Sequence, residues 1–403
     1  MKVVIDARKL GDGGIGSYLE TLITGLLSLQ ERSLNLSLLV APSYFTSQFS
    51  EQLNSDFGNE SFQVLTEGSK KYSFSEYFLL PFRQRKLLAD SDIFHSPHYT
   101  LPFGLSCKSI VTIHDVIHIS HPENATHSFL GPKLIASAAS RADGIITVSD
   151  AAKESILRHV RVNQDKLTVI YNSLRQSLPK SLSQSVHLSK ESLRELGLSK
   201  SFYLFVGSDR PHKGFTELVE AWKLLKERQF GQVPEIVIVG NRFGPASRRF
   251  VEEAGLSANL KFVGSVDEQT LARLYQSSKA LLLPSREEGF GLSALEAMHF
   301  GSPVICSPVP AIEEVCGAAA LVARDFSSAA LLEAVEAFDK DEELCSELIE
   351  LGKRQSLNFE IEKMARKTLN YYQRVLTGSS FEVEDPSSTR VAKGQKNRMW
   401  SGQ

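Results

Sequence analysis

The chain has few of the residues that build disulfide frameworks or cysteine-based metal sites. Among its 403 residues are four cysteines, Cys107, Cys306, Cys316 and Cys345, and no two of them form a Cys-x-x-Cys pair. This scattered spacing indicates neither a zinc site nor a disulfide scaffold. We therefore expect the fold to depend on an apolar core rather than on covalent or metal crosslinks.

Long apolar runs and an excess of one charge are also missing. No run of about 18 apolar residues exists, so the sequence predicts no transmembrane helix. The start, MKVVIDARKL, lacks the apolar core of a signal peptide, and a cytoplasmic location is the default expectation. The formal net charge is only −2, which gives no global attraction to nucleic acid or to anionic membranes. We therefore expect no nucleic-acid partner.

Short apolar runs alternate with amphipathic helical patterns along most of the chain. Runs such as 2–6, 202–206 and 235–239 are typical of buried parallel strands. A Ser-rich stretch interrupts the alternation, which then restarts. The sequence therefore predicts an α/β fold with two Rossmann-like, doubly wound parallel-sheet domains. The predicted organisation is a domain at 1–173, a linker at 174–190, a domain at 191–358, a final helix at 359–376 and a disordered tail at 377–403.

The most informative stretch is LPSREEGFGLSALEAMHFG at 283–301, which reads as a strand end, a glycine-bearing loop and a helix. The loop glycines allow close approach to a ligand, and the helix start offers N–H groups and a positive dipole end to an anion. Glu288 and Glu296 bracket the loop. Two structural alternatives stay open: Glu288 as a solvated loop acid, and Glu296 as part of a capping box that begins at Ser293.

A glycine-rich segment also follows the first predicted strand. Residues 11–16 read GDGGIG and precede an amphipathic helix, so they match G-x-G-x-x-G and raise the hypothesis of an NAD-dependent oxidoreductase. A dinucleotide site also needs an acid near the end of the second strand, to hold the ribose. The second predicted strand, 34–41, ends in LLVA without an acid, which argues against that hypothesis.

Six of the ten histidines lie between residues 95 and 127. A metal cluster is one interpretation, because imidazole binds zinc well, but the segment lacks H-E-x-x-H and a cysteine pair. The position of two of these histidines favours another interpretation. His95 and His114 each end a strand-like run, and ligands of open α/β sheets bind beyond the carboxyl ends of the strands.

Basic residues follow the first strand of the second half. In VGSDRPHKGF, Gly207 comes directly after a strand and Lys213 directly before a helix, with Arg210 between them. Cations at this place would neutralise a diphosphate leaving group. The structural alternative is a solvated turn, because charged residues are common in turns.

The segment at 70–88, KKYSFSEYFLLPFRQRKLL, mixes aromatic and basic residues. One interpretation is a basic aromatic helix that lies on a membrane surface and helps to dock a lipid-linked acceptor. The interpretation we prefer is a helix with a core-facing apolar side and a solvated basic side, since Pro81 interrupts the pattern.

The stretch PSREEGFGLSALEAMHFGSPVICS resembles the signature of glycosyltransferase family 4, the "group 1" nucleotide-sugar transferases. The stretches GGIGSYLETL, VTIHDVIHISHPE and VGSVDEQTLARLY also resemble family segments, and the resemblance covers about residues 1–376. It implies the GT-B fold, in which two Rossmann-like domains face a cleft and the last helix crosses back to the N-terminal domain. Three departures are Ser293 in place of Pro, His212 in place of Arg, and Tyr-Asn-Ser-Leu-Arg at 171–175 in place of Tyr-Asn-Gly-Val-Asp.

The resemblance also implies roles for individual residues. Glu288 would meet hydroxyls of the donor sugar, Glu296 the nucleotide ribose, and His114 would border the sugar. The catalytic set that it implies is His114, Arg210, Lys213 and Glu288. The donor-binding set that it implies is Gly14, Gly16, Gly207, Arg210, Lys213, Val266, Glu288, Gly289, Phe290, Gly291, Leu292 and Glu296.

The function that the resemblance implies is retaining transfer of a hexose from a nucleotide diphosphate sugar to a hydroxyl of a glycan or polyprenyl-linked acceptor. Polysaccharide biosynthesis, including lipopolysaccharide, is the expected setting, with GDP-mannose as the first expected donor. No cofactor and no bound metal are expected. Peripheral contact with the inner membrane surface stays open as the alternative raised by residues 70–88. Two alternatives are a catalytically silent nucleotide-sugar-binding protein and a phosphorylase-like or disaccharide-forming enzyme.

Overall fold

A computed structural model of the chain describes residues 1–44, 48–58, 62–121, 125–175, 197–198, 201–228 and 233–378. These residues belong to two compact units, one formed by 1–175 with 359–378 and the other by 197–358. The predicted linker after residue 175 and the predicted tail after residue 378 lie outside the described residues.

The first unit contains a seven-stranded parallel sheet with the strand order β3-β2-β1-β4-β5-β6-β7. Its strands are β1 (Lys2–Asp6), β2 (Asn35–Val40), β3 (Phe62–Thr66), β4 (Ile93–Ser96), β5 (Lys108–Thr112), β6 (Gly144–Thr147) and β7 (Leu167–Val169). Its helices before the linker are α1 (Gly13–Ser28), α2 (Gln48–Phe57), α3 (Leu80–Arg83), α4 (Arg85–Ala89), α5 (Ile117–Ser120), α6 (Ala125–Arg141) and α7 (Asp150–His159). The strand order reverses between β1 and β4, and such a switch point is where open α/β sheets bind ligands.

The second unit repeats this topology in a six-stranded parallel sheet with the order β10-β9-β8-β11-β12-β13. Its strands are β8 (Phe202–Val206), β9 (Glu235–Val239), β10 (Leu260–Gly264), β11 (Leu281–Leu283), β12 (Val304–Cys306) and β13 (Ala320–Val322). Its helices are α8 (Phe215–Arg228), α9 (Pro245–Glu253), α10 (Glu268–Ser277), α11 (Leu292–Phe300), α12 (Pro310–Cys316), α13 (Ser328–Asp339) and α14 (Glu342–Ser356). The predicted α/β class with two doubly wound parallel sheets is confirmed.

The core of the second unit lies between its sheet and helices such as α8. Phe215, Leu218, Trp222 and Leu225 recur on one face of α8 and are buried. Trp222 packs edge-to-face against Tyr203 of β8, with ring centroids 5.5 Å apart, and its indole N–H donates to a backbone carbonyl. The helical period of the apolar residues therefore explains both the helix and the side that it buries.

The last helix, α15 (Ile361–Thr377), belongs to the first unit although the second unit precedes it in the chain. It packs on α1, where a Cβ added to Gly25 would lie 3.0 Å from Cγ1 of Ile361. Tyr371 and Tyr372 of α15 are both buried against the first sheet. Among the described residues, no helix has the length and apolar content needed to cross a bilayer.

The aromatic and basic segment at 70–88 differs from the helix that we preferred. It forms a π-helical turn at Ser75–Leu79 followed by the short helices α3 and α4, with a break at Gln84. Leu80 and Leu88 point into the core, whereas Phe74 and Phe82 are 69% and 70% exposed. The interpretation as one core-facing helix was wrong: the segment changes from a π-helical turn to an α-helix at Leu80 and is interrupted at Gln84, and the rings of Phe74 and Phe82 lie on its exposed side.

Burial of His95 predicts that the first unit loses stability in acid. Burial, with a smaller contribution from His114, lowers the pKa of His95 from the usual 6.5 to about 3. The unfolded chain therefore binds a proton below pH 6.5 that the folded chain does not bind until about pH 3. In that window the free energy of unfolding should fall by about 1.4 kcal/mol per pH unit through this group alone.

Urea unfolding between pH 7 and pH 5 tests this expectation with His95→Gln, which cannot take up the proton. The stability difference between wild type and His95→Gln should shrink as the pH falls. His159→Gln, at an exposed histidine, is the matched control and should follow the wild type at every pH. The expectation would be contradicted if the free energies of unfolding of wild type and His95→Gln changed with pH in parallel.

Candidate functional site

Lys213 and Glu288 meet at the carboxyl edge of the second sheet. The Lys213 ammonium donates to both carboxylate oxygens of Glu288, with Nζ–Oε1 and Nζ–Oε2 distances of 2.8 and 2.9 Å. The Ser285 hydroxyl donates to Oε1 of the same carboxylate at 2.8 Å. The Lys213 side chain keeps 27% of its surface exposed and that of Glu288 keeps 10%. The ion pair is therefore well ordered and still reachable by a ligand.

The two loops that carry this pair follow the two strands at the switch point of the second sheet. A 3-10 turn at Pro211–Lys213 follows β8, and the loop with Ser285 and Glu288 follows β11, the neighbour of β8 in the sheet. The loops are joined through the main chain as well, since the N–H of Arg286 donates to the carbonyl of His212 at 2.7 Å. Sheet topology therefore brings together residues that lie 75 positions apart.

The helix α11 begins directly after this loop. Its N-cap is Gly291, in the left-handed region at φ 99°, and no side chain caps the helix start. The capping box considered for Ser293 and Glu296 is therefore not formed, because the helix begins two residues earlier than a box would require. Glu296 lies inside the helix, 8% exposed, where its Oε2 accepts a hydrogen bond from the Tyr275 hydroxyl at 3.0 Å.

The other candidate residues of the second unit lie in loops that follow strands of the same sheet, at its carboxyl edge. Gly207 follows β8, and its N–H donates to the carbonyl of Val239 at 3.0 Å. Val266 lies between β10 and α10, half-buried. Arg210 precedes the 3-10 turn and is half-buried, whereas His212 is buried. The remaining candidates form the loop and the start of α11: Gly289, Phe290, Gly291 and Leu292.

His114 lies in the first unit, two residues after β5. The Nε2 atom is 3.0 Å from the carbonyl of Pro97, and because a carbonyl only accepts, Nε2 carries the hydrogen. Burial lowers the pKa of His114, partly opposed by this hydrogen bond and by Asp115. The neutral ring therefore has its lone pair on Nδ1, where it can accept a hydrogen bond from a hydroxyl group.

The start of α1 adjoins His114. Tyr18 packs edge-to-face against the His114 ring, with centroids 4.7 Å apart, and lies one helical turn after Gly14. A Cβ on Gly16 would lie 2.7 Å from the backbone nitrogen of Gly11, so the glycine there allows the loop to fold against the helix. The structure thus groups Gly14, Gly16 and His114 in the first unit and the other candidates in the second.

The hydrogen bonds of His95 and His114 do not support a metal site. Both ring nitrogens of His95 are bonded to hydroxyl groups, from Tyr372 at 2.6 Å and Thr112 at 2.8 Å. One ring nitrogen of His114, Nε2, is hydrogen-bonded to the carbonyl of Pro97. Within the described parts of the chain, no three His, Cys, Asp or Glu side chains are grouped as metal ligands.

Sequence reasoning missed a buried charged cluster after β1. Arg8 donates to both carboxylate oxygens of Asp6, at 2.8 and 2.6 Å, and to Glu76 at 2.9 Å. Next to it, the Lys9 ammonium is hydrogen-bonded to the hydroxyl of Tyr72 at 2.8 Å, and burial lowers the pKa of Lys9 to about 8. The run Asp-Ala-Arg-Lys at the end of the first strand could have indicated this cluster. Charged side chains that are buried at a strand end must be paired with opposite charges.

Two family models match most of the chain. The model for "Glycosyltransferase Family 4" matches residues 13–175, and that for "Glycosyl transferases group 1" matches residues 190–355. The first match contains His114 and the start of α1, and the second contains Lys213, Glu288 and α11. The matches therefore span both groups of candidate residues.

Curated relatives and a solved structure are similar over longer stretches. The "O-antigen chain mannosyltransferase B" of Escherichia coli is 28% identical over 309 residues, which is 73% of this chain and 78% of the relative. The "O-antigen chain mannosyltransferase RfbU" of Salmonella typhimurium is 27% identical over 59% of this chain and 60% of the relative. The structure of the HepE protein of Anabaena in complex with UDP-glucose has a TM-score of 0.69 to this chain at 16% sequence identity. The similarity covers 94% of this chain and 100% of the HepE chain.

Gly214 fixes the position of Lys213, and its replacement tests how tightly the two loops are packed. It lies at φ +69°, and a Cβ there would be 1.8 Å from the carbonyl oxygen of Pro284. Gly264 has nearly the same φ, +73°, with no atom near its Cβ position. Gly264→Ala should therefore cost about 1–2 kcal/mol of unfolding free energy through the backbone alone. Gly214→Ala should cost about 1–3 kcal/mol more, because a loop must also move.

Chemical denaturation of the two variants measures the difference. Equal destabilisation by Gly214→Ala and Gly264→Ala would show that the 3-10 turn and the Pro284 loop are not in the close contact described here.

Proposed function

Because the chain belongs to the group 1 glycosyltransferases of family 4, we propose that it transfers mannose with retention of configuration from GDP-mannose to a hydroxyl of a glycan or polyprenyl-linked acceptor. The names of the two curated relatives support mannose and O-antigen polysaccharide. The UDP-glucose complex of HepE belongs to a more distant protein, so a UDP-sugar is the second donor to test. The proposed reaction uses no cofactor and no bound metal.

The observation that carries this proposal is the contact between Lys213 and Glu288 beside the start of α11. An ammonium only donates hydrogen bonds and a carboxylate only accepts them, so the pair offers opposite chemistry at adjacent points. A nucleotide sugar needs both, since its phosphate oxygens accept and its sugar hydroxyls donate. We assign Lys213 to the diphosphate and Glu288 to the sugar, with Glu296 on the ribose.

Negative charge grows on the diphosphate during the proposed transfer. The bond between the anomeric carbon and the terminal phosphate oxygen breaks, and the acceptor oxygen bonds to the same face of that carbon. The acceptor proton moves to the leaving phosphate, so the reaction requires no protein nucleophile. Lys213, Arg210 and the N–H groups at the start of α11 would stabilise the growing charge.

His114 has the tautomer suited to the sugar side of the reaction. Its Nε2–H donates to the carbonyl of Pro97, and its unprotonated Nδ1 can accept a hydrogen bond from a sugar hydroxyl. A cationic imidazole would instead oppose positive charge that develops at the anomeric carbon. The lowered pKa of His114 therefore supports its proposed place next to the sugar.

Release of GDP from GDP-mannose, measured with polyprenyl-linked and free glycan acceptors, tests the proposal. Lys213→Ala should lower turnover about 100-fold, equivalent to about 2.7 kcal/mol, because a charge contact of the transition state is lost. Lys279→Ala is the matched control, since Lys279 is also an ion-paired lysine of the second unit but precedes β11 at the opposite edge of the sheet. It should keep wild-type turnover.

The same assay separates the finer parts of the proposal. Activity should survive EDTA, and NMR of the product should show that the anomeric configuration of the donor is kept. UDP- and ADP-sugars, run in parallel, should give slower release than GDP-mannose. Tight binding of every donor without any release would instead favour a catalytically silent binding protein, and wild-type turnover by Lys213→Ala would remove the assigned site.

We also propose that the first unit contacts an anionic membrane surface through an aromatic patch, defined as Phe74, Phe78, Phe82 and Phe103. The rings of Phe74 and Phe78 stack with centroids 4.7 Å apart, and those of Phe78 and Phe103 stack at 5.0 Å. All four rings are exposed, three of them in one stack, and a stack of exposed aromatic rings is unusual on a protein surface. Exposed basic residues lie in the same segment: Lys70, Arg83, Arg85 and Lys86. This combination suits the interface of a bilayer with anionic lipids.

Vesicle flotation tests the aromatic patch. Wild-type protein should float with vesicles rich in phosphatidylglycerol and much less with neutral phosphatidylcholine vesicles. The triple variant Phe74→Ser, Phe78→Ser, Phe82→Ser should lose flotation, and Lys70→Ser with Arg85→Ser and Lys86→Ser should weaken it on anionic vesicles only. Leu357→Ser removes a 66% exposed apolar side chain of the second unit and is the control. Equal flotation of wild type and the basic-residue variant would contradict the proposed contact.

A further inference from the structure

A continuous chain of buried hydrogen bonds runs through the first unit from the last helix to the side of His114. The Tyr372 hydroxyl of α15 is 2.6 Å from Nδ1 of His95, and Nε2 of His95 is 2.8 Å from the Thr112 hydroxyl. The Thr112 hydroxyl is 3.0 Å from the hydroxyl of Tyr18, whose ring packs against His114. We call Tyr372, His95, Thr112 and Tyr18 the relay.

The relay is closed to water along its length. The relative exposure of Tyr372, His95 and Thr112 is 0%, and that of Tyr18 is 2%. A neutral imidazole has one N–H and one bare nitrogen, so His95 donates to one of its two hydroxyl partners and accepts from the other. In a dry environment each of these bonds is strong and a broken one leaves an unpaired polar group, so the four side chains have little freedom to move independently.

We infer that the relay positions the imidazole of His114 for the reaction. Two of its members touch the strand end that carries His114: Thr112 is the last residue of β5, and Tyr18 holds the His114 ring edge-to-face. The Pro97 carbonyl fixes Nε2 of His114, and Tyr18 fixes the tilt of the ring. The side chains of the relay are thus positioning residues, which act through His114 and do not touch the substrate. This inference rests on the proposed function for its effect on catalysis only.

The neighbouring tyrosine of α15 provides a matched control. The hydroxyl of Tyr371 accepts from the N–H of Ile145 at 2.8 Å, and its one hydrogen faces the main-chain carbonyls of Ile145 and Lys166 near the start of β6 and β7. It therefore anchors the same helix to the same sheet, by a hydroxyl of the same kind, without a bond to the relay. Tyr371→Phe and Tyr372→Phe remove one oxygen atom each from adjacent, buried rings.

The state of His114 is measured directly by NMR of histidine ring nitrogens in the full, ligand-free chain, with His114→Gln to assign the signals. The wild type should show one Nε2–H tautomer for His114. Tyr372→Phe and Tyr18→Phe should shift or broaden these signals, and Tyr371→Phe should leave them in place. Unchanged His114 signals in Tyr372→Phe would overturn the inference. Because no donor is used, this result does not depend on the proposed reaction.

Turnover gives the second readout. Tyr372→Phe and Tyr18→Phe should each lower kcat about 10-fold with KM for the donor changed less than about twofold, as expected for loss of alignment in the transition state. The double variant should be about as slow as either single variant, since both break one connected unit. Additive losses, or an equal loss in Tyr371→Phe, would overturn the inference.

Thr112 gives a test that does not depend on the stability of the tyrosine variants. Thr112→Val removes the hydroxyl and keeps the shape, so it should reproduce the NMR shift and the loss of kcat. Thr112→Ser keeps the hydroxyl and should restore both readouts towards wild type. A Thr112→Ser variant that behaves like Thr112→Val would show that packing of the methyl group, and not the relay, controls His114.

Discussion

An ion pair between two loops of one sheet is the interaction on which the candidate site depends. Lys213 comes from the loop after β8 and Glu288 from the loop after β11, and the switch in strand order makes these strands neighbours. The pair holds a cation and an anion side by side in a reachable position. In the proposed function, a single group of either charge would serve only one end of a nucleotide sugar, whereas the pair would provide a partner for each end. The helix start after Gly291 adds backbone donors to the same place.

Strand positions were predictable because short apolar runs between glycine or polar segments leave few alternatives. The bounds expected for 202–206 and 235–239 are those of β8 and β9. Local sequence patterns gave wrong predictions where a side chain is bonded to a residue far away in the sequence. Ser293 and Glu296 fit a capping box by spacing, yet Glu296 is instead bonded to Tyr275 from another helix. Likewise, the spacing of the aromatic residues at 74–82 fits one core-facing helix, but the segment is π-helical at Ser75–Leu79 and interrupted at Gln84, and the phenylalanine rings lie on the exposed side.

Polar side chains of the first unit were the least predictable part. His95 and Tyr372 are 277 positions apart, and nothing in either neighbourhood indicates the other. A buried polar group must find a partner, but the sequence does not show which residue it will be. For His95 the sequence favoured a strand end facing a ligand over a metal site, but the hydroxyl groups of Tyr372 and Thr112 occupy both of its ring nitrogens.

The placement of α15 has a consequence for the order in which the chain acquires its structure during synthesis. The first unit stays incomplete on the ribosome until residues after 358 have been made, since Tyr371 and Tyr372 are part of its interior. The second unit has all of its described strands and helices by then. Domains of nascent chains usually fold in order from the N-terminus. In this protein the second unit can instead complete its fold before the first unit, whose last helix is made last.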